Sequence, residues 1–411
     1  MQKLEDAVIH MQQSFSNIFF LFSNHNKLEN VQNISSEEIF SDNSISLLNY
    51  LSIELYKSPK IREYPDVATF AFFCRKANIL NLKRKYNQGG FRLGRGIVFH
   101  IAPSNVPVNF AYSMVAGLLS GNNNIVRVPS KNFEQVSIII EALKNVAISN
   151  NSFDLENRLF LVKYEKSSDA TEYFSSICDI RVIWGGDQTI DLVRINKIQP
   201  RSIDITFSDR YSFAIINAEK IVNENNIDKV ANNFFNDTYL FDQNACSAPR
   251  IVTWIGTEDV IKEAKNIFWN SVQNRIKNYD FSPILAIDKL VSLLQQSTMD
   301  HQLTKVKSIN NKLWRINTPT LFKELENYTC AGGYFLEYNA NSINEISSFV
   351  TRKFQTMAYF GFEKDDLMKA IKKMKLLGID RVVPFGKTTD FDLIWDGYDL
   401  IYTLSRECVV I

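Results

Sequence analysis

This chain has little with which to build a metal centre or a disulfide framework. Its five cysteines, Cys74, Cys178, Cys246, Cys330 and Cys408, are odd in number, far apart and form no C-x-x-C pair. Neither a zinc site nor a set of stapled loops is therefore indicated. The four histidines, His10, His25, His100 and His301, form no cluster, which argues against a metal enzyme. Charge of one sign is also missing: 46 Lys and Arg oppose 45 Asp and Glu, for a net charge of +1. Nothing in that balance argues for binding nucleic acid or an anionic membrane. The longest early apolar run, Ile18–Phe22, is far too short to span a bilayer. The opening MQKLEDAVIH carries acidic residues where a secretory leader needs an apolar segment. These absences predict a cytoplasmic protein without integral membrane contact. No repeat of solenoid period and no low-complexity linker is visible.

What is there is an ordinary globular composition, 45% hydrophobic and 22% charged over 411 residues, a length comfortable for two α/β domains. Residues 1 to about 85 read as mostly helical; SISLLNYLSIELYK, from Ser44 to Lys57, is an amphipathic example. From Gly94 onward the pattern changes. Apolar strands over 96–102, 124–128, 159–163 and 180–184 alternate with helices over about 109–119, 133–148 and 169–176. That alternation predicts a buried parallel sheet of Rossmann type. A second alternation starts near Ser212, with strands over 213–216, 250–255 and 334–338. Helices are expected over 228–240, 259–276, 343–349 and 364–377. The expected division is a helical region (1–85), a dinucleotide-binding domain (86–208), a catalytic domain (209–385) and a C-terminal segment (386–411) packing back on the cofactor or oligomerisation region.

Chemistry concentrates in a few loops. Cys246 lies in the polar segment DQNACSAPR between a helix and a strand, where a thiol can face a cleft. A buried inert thiol is the commoner fate of a cysteine, but Asn244, Ser247 and Arg250 make this loop polar. Asn105 sits between Pro103 and Pro107. Two prolines stiffen that loop, at the carboxyl end of a strand where open α/β sheets hold ligands. Its amide is either an oxyanion donor or an ordinary turn residue. Gly185, Gly186 and Asp187 follow the fourth strand and open a helix; they suit phosphate approach or simply a tight turn. Arg127, Ser130 and Lys131 end the second strand. A serine flanked by two cations suits a 2′-phosphate, where an acidic residue would favour NAD; solvated surface charges are the alternative.

Together these pieces resemble the aldehyde dehydrogenase superfamily, and most of all its LuxC-type branch of acyl-CoA (fatty acyl) reductases. The likeness runs from about Gly94 to the C-terminus. Its strings are GRGIVFHIAPSNVP, GLLSGNNNIVRVPS, VIWGGDQTID, FDQNACSAPR, FQTMAYFGF and GIDRVVPFGKTTDFDLIWDGYDLIYTLSR. The resemblance implies an aldehyde dehydrogenase-like α/β fold of two Rossmann-like parallel-sheet domains with a helical N-terminal region. It implies that Cys246 is the catalytic nucleophile and that Asn105 with the Cys246 backbone N–H holds the oxyanion. It also implies that Gly186 and Asp187 approach a pyrophosphate and that Arg127 and Ser130 meet the adenosine ribose. Hydrolytic relatives carry a glutamate where this chain has Phe207. Without that base, water is poorly activated against a thioester, which favours CoA-linked reduction; Asp209 lies close by and could substitute.

The implied reaction is NADPH-dependent reduction of an acyl-CoA, or of an acyl-adenylate or other activated acyl group from a synthetase partner, to the aldehyde through a cysteine thioester. A homo-oligomer is implied by the same resemblance. A short-chain CoA-acylating aldehyde dehydrogenase and a non-catalytic acyl-transfer scaffold are the alternatives.

Overall fold

The computed structural model describes residues 18–86, 90–103, 106–150, 153–165, 169–300, 302–306, 308, 310–321 and 324–411. They fall into two compact units. One holds the chain up to Ser208 together with Tyr398–Ile411; the other is Asp209–Gly397.

The first unit contains β1 (Phe19–Phe22), β2 (Arg92–Gly94), β3 (Ile97–Ile101), β4 (Asn123–Arg127), β5 (Leu159–Lys163), β6 (Ile180–Trp184) and β7 (Ile203–Phe207). All except β2 form one sheet in the order β1-β5-β4-β3-β6-β7. The pairs from β5 to β7 are parallel and β1 is antiparallel to β5. Every residue of β3 and β6 is buried, as a sheet covered on both faces requires. Phe99, Ile101, Ile125, Phe160, Val162 and Phe174 fill one side of that sheet. Helices Asn109–Leu119, Glu134–Ser149, Ala170–Ile177 and Asp187–Arg194 alternate with the strands. Gly117, in the first of these, lies so close to β4 that a Cβ would stand 1.8 Å from the side-chain oxygen of Asn124.

The expected helices before residue 85 are present over Asp42–Lys57, Pro65–Phe73 and Lys76–Arg84. Ser41 caps the first, accepting the Ser44 N–H at 3.1 Å, and Leu48, Leu51 and Leu55 are its buried stripe. The apolar run Phe19–Phe22, however, is a strand. Four residues are too few to make a helix stable, whereas an edge beside β5 satisfies their backbone and buries Phe22. At the other end of the chain, Ser405–Glu407 pairs antiparallel with β2.

The second unit contains β8 (Tyr211–Asn217), β9 (Pro249–Ile255), β10 (Thr304–Lys305), β11 (Trp314–Asn317), β12 (Tyr334–Ala340), β13 (Phe354–Phe360) and β14 (Arg381–Pro384). Their order is β10-β11-β12-β9-β8-β13-β14, parallel throughout except for the antiparallel β10. Side chains alternate between two cores. Val252, Trp254 and Phe335 meet Phe234 and Phe268 on one face, while Phe213, Ile251, Leu336 and Met357 fill the other. The segment expected as a helix over 343–349 is a short 3-10 helix, Ile343–Ser348, closed by a capping box of Ser342 and Glu345. Helix Ile284–Met299 buries only Lys289 and Gln296 and turns Ile284, Ile287 and Leu294 outward.

Candidate active site

Helix Ile227–Thr238 ends in a 3-10 turn, and the chain then passes through Asp242 and Gln243 with φ of 51° and 61°. This left-handed step costs backbone energy, and the Gln243 side chain offsets it. Fully buried, Gln243 donates from Nε2 to the carbonyls of Pro249 (2.8 Å) and Tyr334 (3.0 Å). Its Oε1 accepts the N–H groups of Gly333 (2.9 Å) and Tyr334 (3.1 Å). One amide thus ties the entry of the cysteine loop to the starts of β9 and β12. Arg250, at the head of β9, donates to the carbonyl of Gln243 at 3.2 Å and reaches those of Ala245 and Ala248 at 3.5 and 3.4 Å. The carbonyl of Cys246 accepts from Ser212 Oγ at 2.7 Å, and Ser212 Oγ in turn accepts the Thr356 N–H at 3.2 Å.

Cys246 is half-buried, three residues before the start of β9. Burial raises its pKa most strongly and the Asp396 charge adds to the rise; Arg250, a hydrogen bond from the Gln355 side chain and Arg381 oppose it. The balance lies above the ordinary thiol value, so the resting group is a thiol at neutral pH. Around it, Gln355 Nε2 donates to Asp396 Oδ1 at 3.1 Å. Arg210 Nε lies 3.0 Å from the same oxygen, and Arg210 also pairs with Asp380. Arg381 donates to the carbonyls of Thr388 and Asp390, both at 2.9 Å, with its guanidinium 4.2 Å from the Trp395 ring centroid.

The first unit has its own convergence. Chain order runs outward from β3 to β4 and β5 on one side and to β6 and β7 on the other. β3 is therefore the point where strand order reverses, and open α/β sheets take ligands beyond the carboxyl ends at such a point. In register, Ile101 stands opposite Arg127 on one side and Ile183 on the other. Arg127 donates to the Tyr164 carbonyl at 3.3 Å and its guanidinium lies 4.6 Å from that ring's centroid. Ser130 and Lys131 are exposed in the bend beyond β4. Gly186 is the N-cap of helix Asp187–Arg194, and Asp187 is its exposed first residue. At Gly185 a Cβ would stand 3.0 Å from the Thr189 side chain. The bend after β4 and the N-terminus of helix Asp187–Arg194 after β6 thus lie beyond the carboxyl ends of the two strands that flank β3.

Beneath these strand ends runs a buried hydrogen-bond chain. The indole N–H of Trp184 can only donate, and it does so to Ser113 Oγ at 2.9 Å. The Ser113 hydroxyl therefore donates to His100 Nδ1 at 2.7 Å, and His100 Nε2–H to Asn124 Oδ1 at 3.0 Å. Burial keeps this imidazole neutral, with its pKa pushed down to about 4. Trp184 stacks face to face on Phe207, the last residue of β7, at 3.7 Å between centroids.

Of the residues singled out from sequence, Cys246 stands in the second unit. Arg127, Ser130 and Lys131 stand at and beyond the carboxyl end of β4, and Gly185, Gly186 and Asp187 beyond that of β6, the two strands that flank β3 in the first unit. Asn105 lies outside the described residues. The sequence reading missed Gln355, Asp396, Arg210, Arg381, Ser212 and Gln243. Three of its strings, FDQNACSAPR, FQTMAYFGF and the C-terminal one, supply the sulfur and the groups around it, and that coincidence was the available signal. Among the described residues no group of three or more His, Cys, Asp or Glu could hold a metal. Likewise, no described helix is long and apolar enough to cross a membrane.

Both units together have the aldehyde dehydrogenase fold. The chain superimposes on a putative aldehyde dehydrogenase from Burkholderia cenocepacia with a TM-score of 0.66 and 12% identity, covering 93% of this chain and 89% of that one. It superimposes on glyceraldehyde-3-phosphate dehydrogenase from Methanocaldococcus jannaschii, solved with NADP, with a TM-score of 0.63 and 11% identity, covering 93% and 91%. Within that class the chain belongs to the acyl-CoA reductase (LuxC) family, whose sequence profile matches residues 77–407. The long-chain acyl-protein thioester reductase of Aliivibrio fischeri is 22% identical over 308 residues, 72% of this chain and 60% of that protein. The chain therefore spans about three fifths of the length of this relative.

Proposed function

We propose that this protein reduces an activated acyl group to the aldehyde through a thioester on Cys246, using NADPH. The observation that carries the reading is the setting of Cys246. Its carbonyl is held by Ser212, and the charges of Arg250 and Arg381 oppose the burial and the Asp396 charge that disfavour its thiolate. Membership of the LuxC family supports the same reading. The acyl donor is a CoA thioester or, as the Aliivibrio fischeri relative's name suggests, an acyl chain on a protein thiol loaded by a synthetase.

The Cys246 sulfur attacks the donor's carbonyl carbon, a new C–S bond forms, and the donor's sulfur leaves as a thiol carrying the Cys246 proton. The Cys246 backbone N–H and Asn105 stabilise the oxyanion by the role their positions have in the family. NADPH, when bound, supplies the hydride that takes the acyl group to the aldehyde. Arg127, Ser130 and Lys131 would hold its 2′-phosphate, and the N-terminus of helix Asp187–Arg194 its pyrophosphate. A carboxylate only accepts hydrogen bonds, so Asp187 suits ribose hydroxyls and the neighbouring backbone N–H groups suit phosphate oxygens. Cys246 is released as the aldehyde departs. Phe207, which stands where hydrolytic relatives carry a glutamate, offers no carboxylate to activate water, and its side chain is taken up by the stack on Trp184.

The test is intact-mass analysis after incubation with acyl-CoAs of graded chain length and, separately, an acyl-adenylate, without NADPH. An added acyl mass on Cys246, discharged by NADPH and absent from Cys246→Ala, is expected. Undiminished NADPH oxidation by Cys246→Ala would sink the proposal.

A further inference from the structure

Helix Glu258–Arg275 packs on the face of the second unit's sheet that carries Trp254 and Phe335, and it brings Lys265 and Trp269 to Glu337 of β12. The Glu337 carboxylate is out of solvent. A buried carboxylate needs a cation and donors for both oxygens, and Glu337 has them. Its Oε1 accepts the indole N–H groups of Trp254 at 2.9 Å and Trp269 at 2.7 Å. Its Oε2 accepts Arg315 Nε at 3.0 Å, and a second guanidinium nitrogen stands 2.9 Å away. Two indoles and one guanidinium thus satisfy the carboxylate.

Lys265 is then a second cation beside a single negative charge. Its side chain is only 12% exposed. Among the described residues its ammonium has two polar contacts, Asn317 Oδ1 at 3.5 Å and Glu337 Oε1 at 3.8 Å. Both are long for a charged N–H donor, which prefers roughly 2.8 Å. Burial lowers the Lys265 pKa most strongly; Glu337 opposes the fall and Arg315 adds to it.

Beside this ammonium lies a cavity of about 540 Å³, whose walls include Lys265, Glu337, Gln302, Thr304, Asn317 and Asn339. That volume suits a small molecule. Asn317 ends β11, Thr304 pairs with it from β10, and Asn339 is the last residue but one of β12. The cavity therefore lies at the carboxyl ends of parallel strands, where open α/β sheets hold ligands. The cysteine loop enters β9 at its amino end, and β9 runs parallel to β12, so the cavity and Cys246 are at opposite ends of one sheet. The side-chain amides of Gln302 and Asn339 are exposed and make no hydrogen bond among the described residues. Asp300, outside these walls, already accepts the Gln302 N–H at 2.9 Å and the Thr318 hydroxyl at 3.2 Å.

We propose that this cavity is a second ligand site, in which Lys265 holds the charged group of a small polar anion, a carboxylate or a phosphate ester, and the amides of Gln302, Asn317 and Asn339 take its remaining polar groups. The excess ammonium selects the anion, and uncommitted amides suit hydroxyl groups, which both donate and accept. The site does not rest on the acyl chemistry of Cys246.

Citrate, glucose 6-phosphate and glucose are titrated calorimetrically into the full-length protein. One of the two anions is expected to bind with a Kd below about 1 mM, and glucose to show no heat of binding; which anion binds separates the carboxylate from the phosphate ester. Lys265→Met keeps most of the packed chain and removes the charge, and it is expected to weaken that anion about tenfold or more. Should this variant not fold, Asn339→Asp at an exposed position places a like charge in the wall and is expected to abolish binding. An anion bound undiminished by either folded variant sits elsewhere, and that result overturns the proposal, as does the failure of both anions to bind. Glucose bound as tightly as the anions would overturn the role of Lys265.

Discussion

Ser212 Oγ donates to the carbonyl of Cys246 at 2.7 Å while accepting the Thr356 N–H at 3.2 Å, so one hydroxyl on β8 couples the cysteine loop to β13. Removing that hydroxyl takes away one bond from each backbone group. Ser212→Ala is expected to cost about 1–3 kcal/mol in stability and to slow acylation roughly tenfold through a misplaced sulfur. A thermal melt and the time course of adduct mass check both. Full acylation rate in the variant would detach this bond from the site's geometry.

Gln243 carries more of the loop. Its amide makes four hydrogen bonds to backbone groups. Gln243→Leu, similar in volume, leaves those groups in an apolar setting, and a loss of roughly 3 kcal/mol or more is expected. The urea midpoint measures it. A change of a few tenths would mean that the loop refolds around other partners.

Acid should weaken the protein through His100. Its pKa is depressed from 6.5 to about 4 in the fold, so between those values the unfolded chain binds the proton and the folded one does not. The neutral imidazole's contribution is complete above pH 6.5 and is lost as pH falls towards 4. The upper bound on that loss is about 3 kcal/mol. His100→Gln should flatten the stability curve across this window; an equally steep curve in the variant would assign the acid sensitivity elsewhere.

Cofactor preference tests the bend after β4. Ser130 is exposed there beside Lys131. Ser130→Glu should raise the KM for NADPH roughly tenfold or more through charge repulsion while leaving NADH turnover intact or improved. Steady-state KM values for both cofactors decide. Equal KM for NADPH in the two proteins would move the 2′-phosphate away from Ser130.

Much of the fold was readable before any coordinates. Continuous apolar runs such as those of β3 and β6 belong to strands covered on both faces, and the helices between them announce themselves by period. The pieces misread or left unassigned were those whose local pattern is weak. Phe19–Phe22 became a strand only because β5 offered it an edge. Helix Ile284–Met299 hides Lys289 and Gln296 and exposes its apolar residues, the reverse of the pattern that marks a core-facing helix.

The sequence by itself determined the alternation of strands and helices in two α/β units and the polar cysteine loop that leads into β9. These follow from side-chain period and from short-range loop chemistry, both of which act between near neighbours. Only the tertiary structure decided what surrounds the sulfur. Gln355 and Asp396 lie more than a hundred residues beyond Cys246 in the chain, and on its own each is an unremarkable polar residue. They meet because β13 lies beside β8, which also pairs with β9 at the cysteine loop, and because the turn at Asp396 reaches back to Gln355. Strand order is set by how apolar faces pack, a non-local property no short motif records.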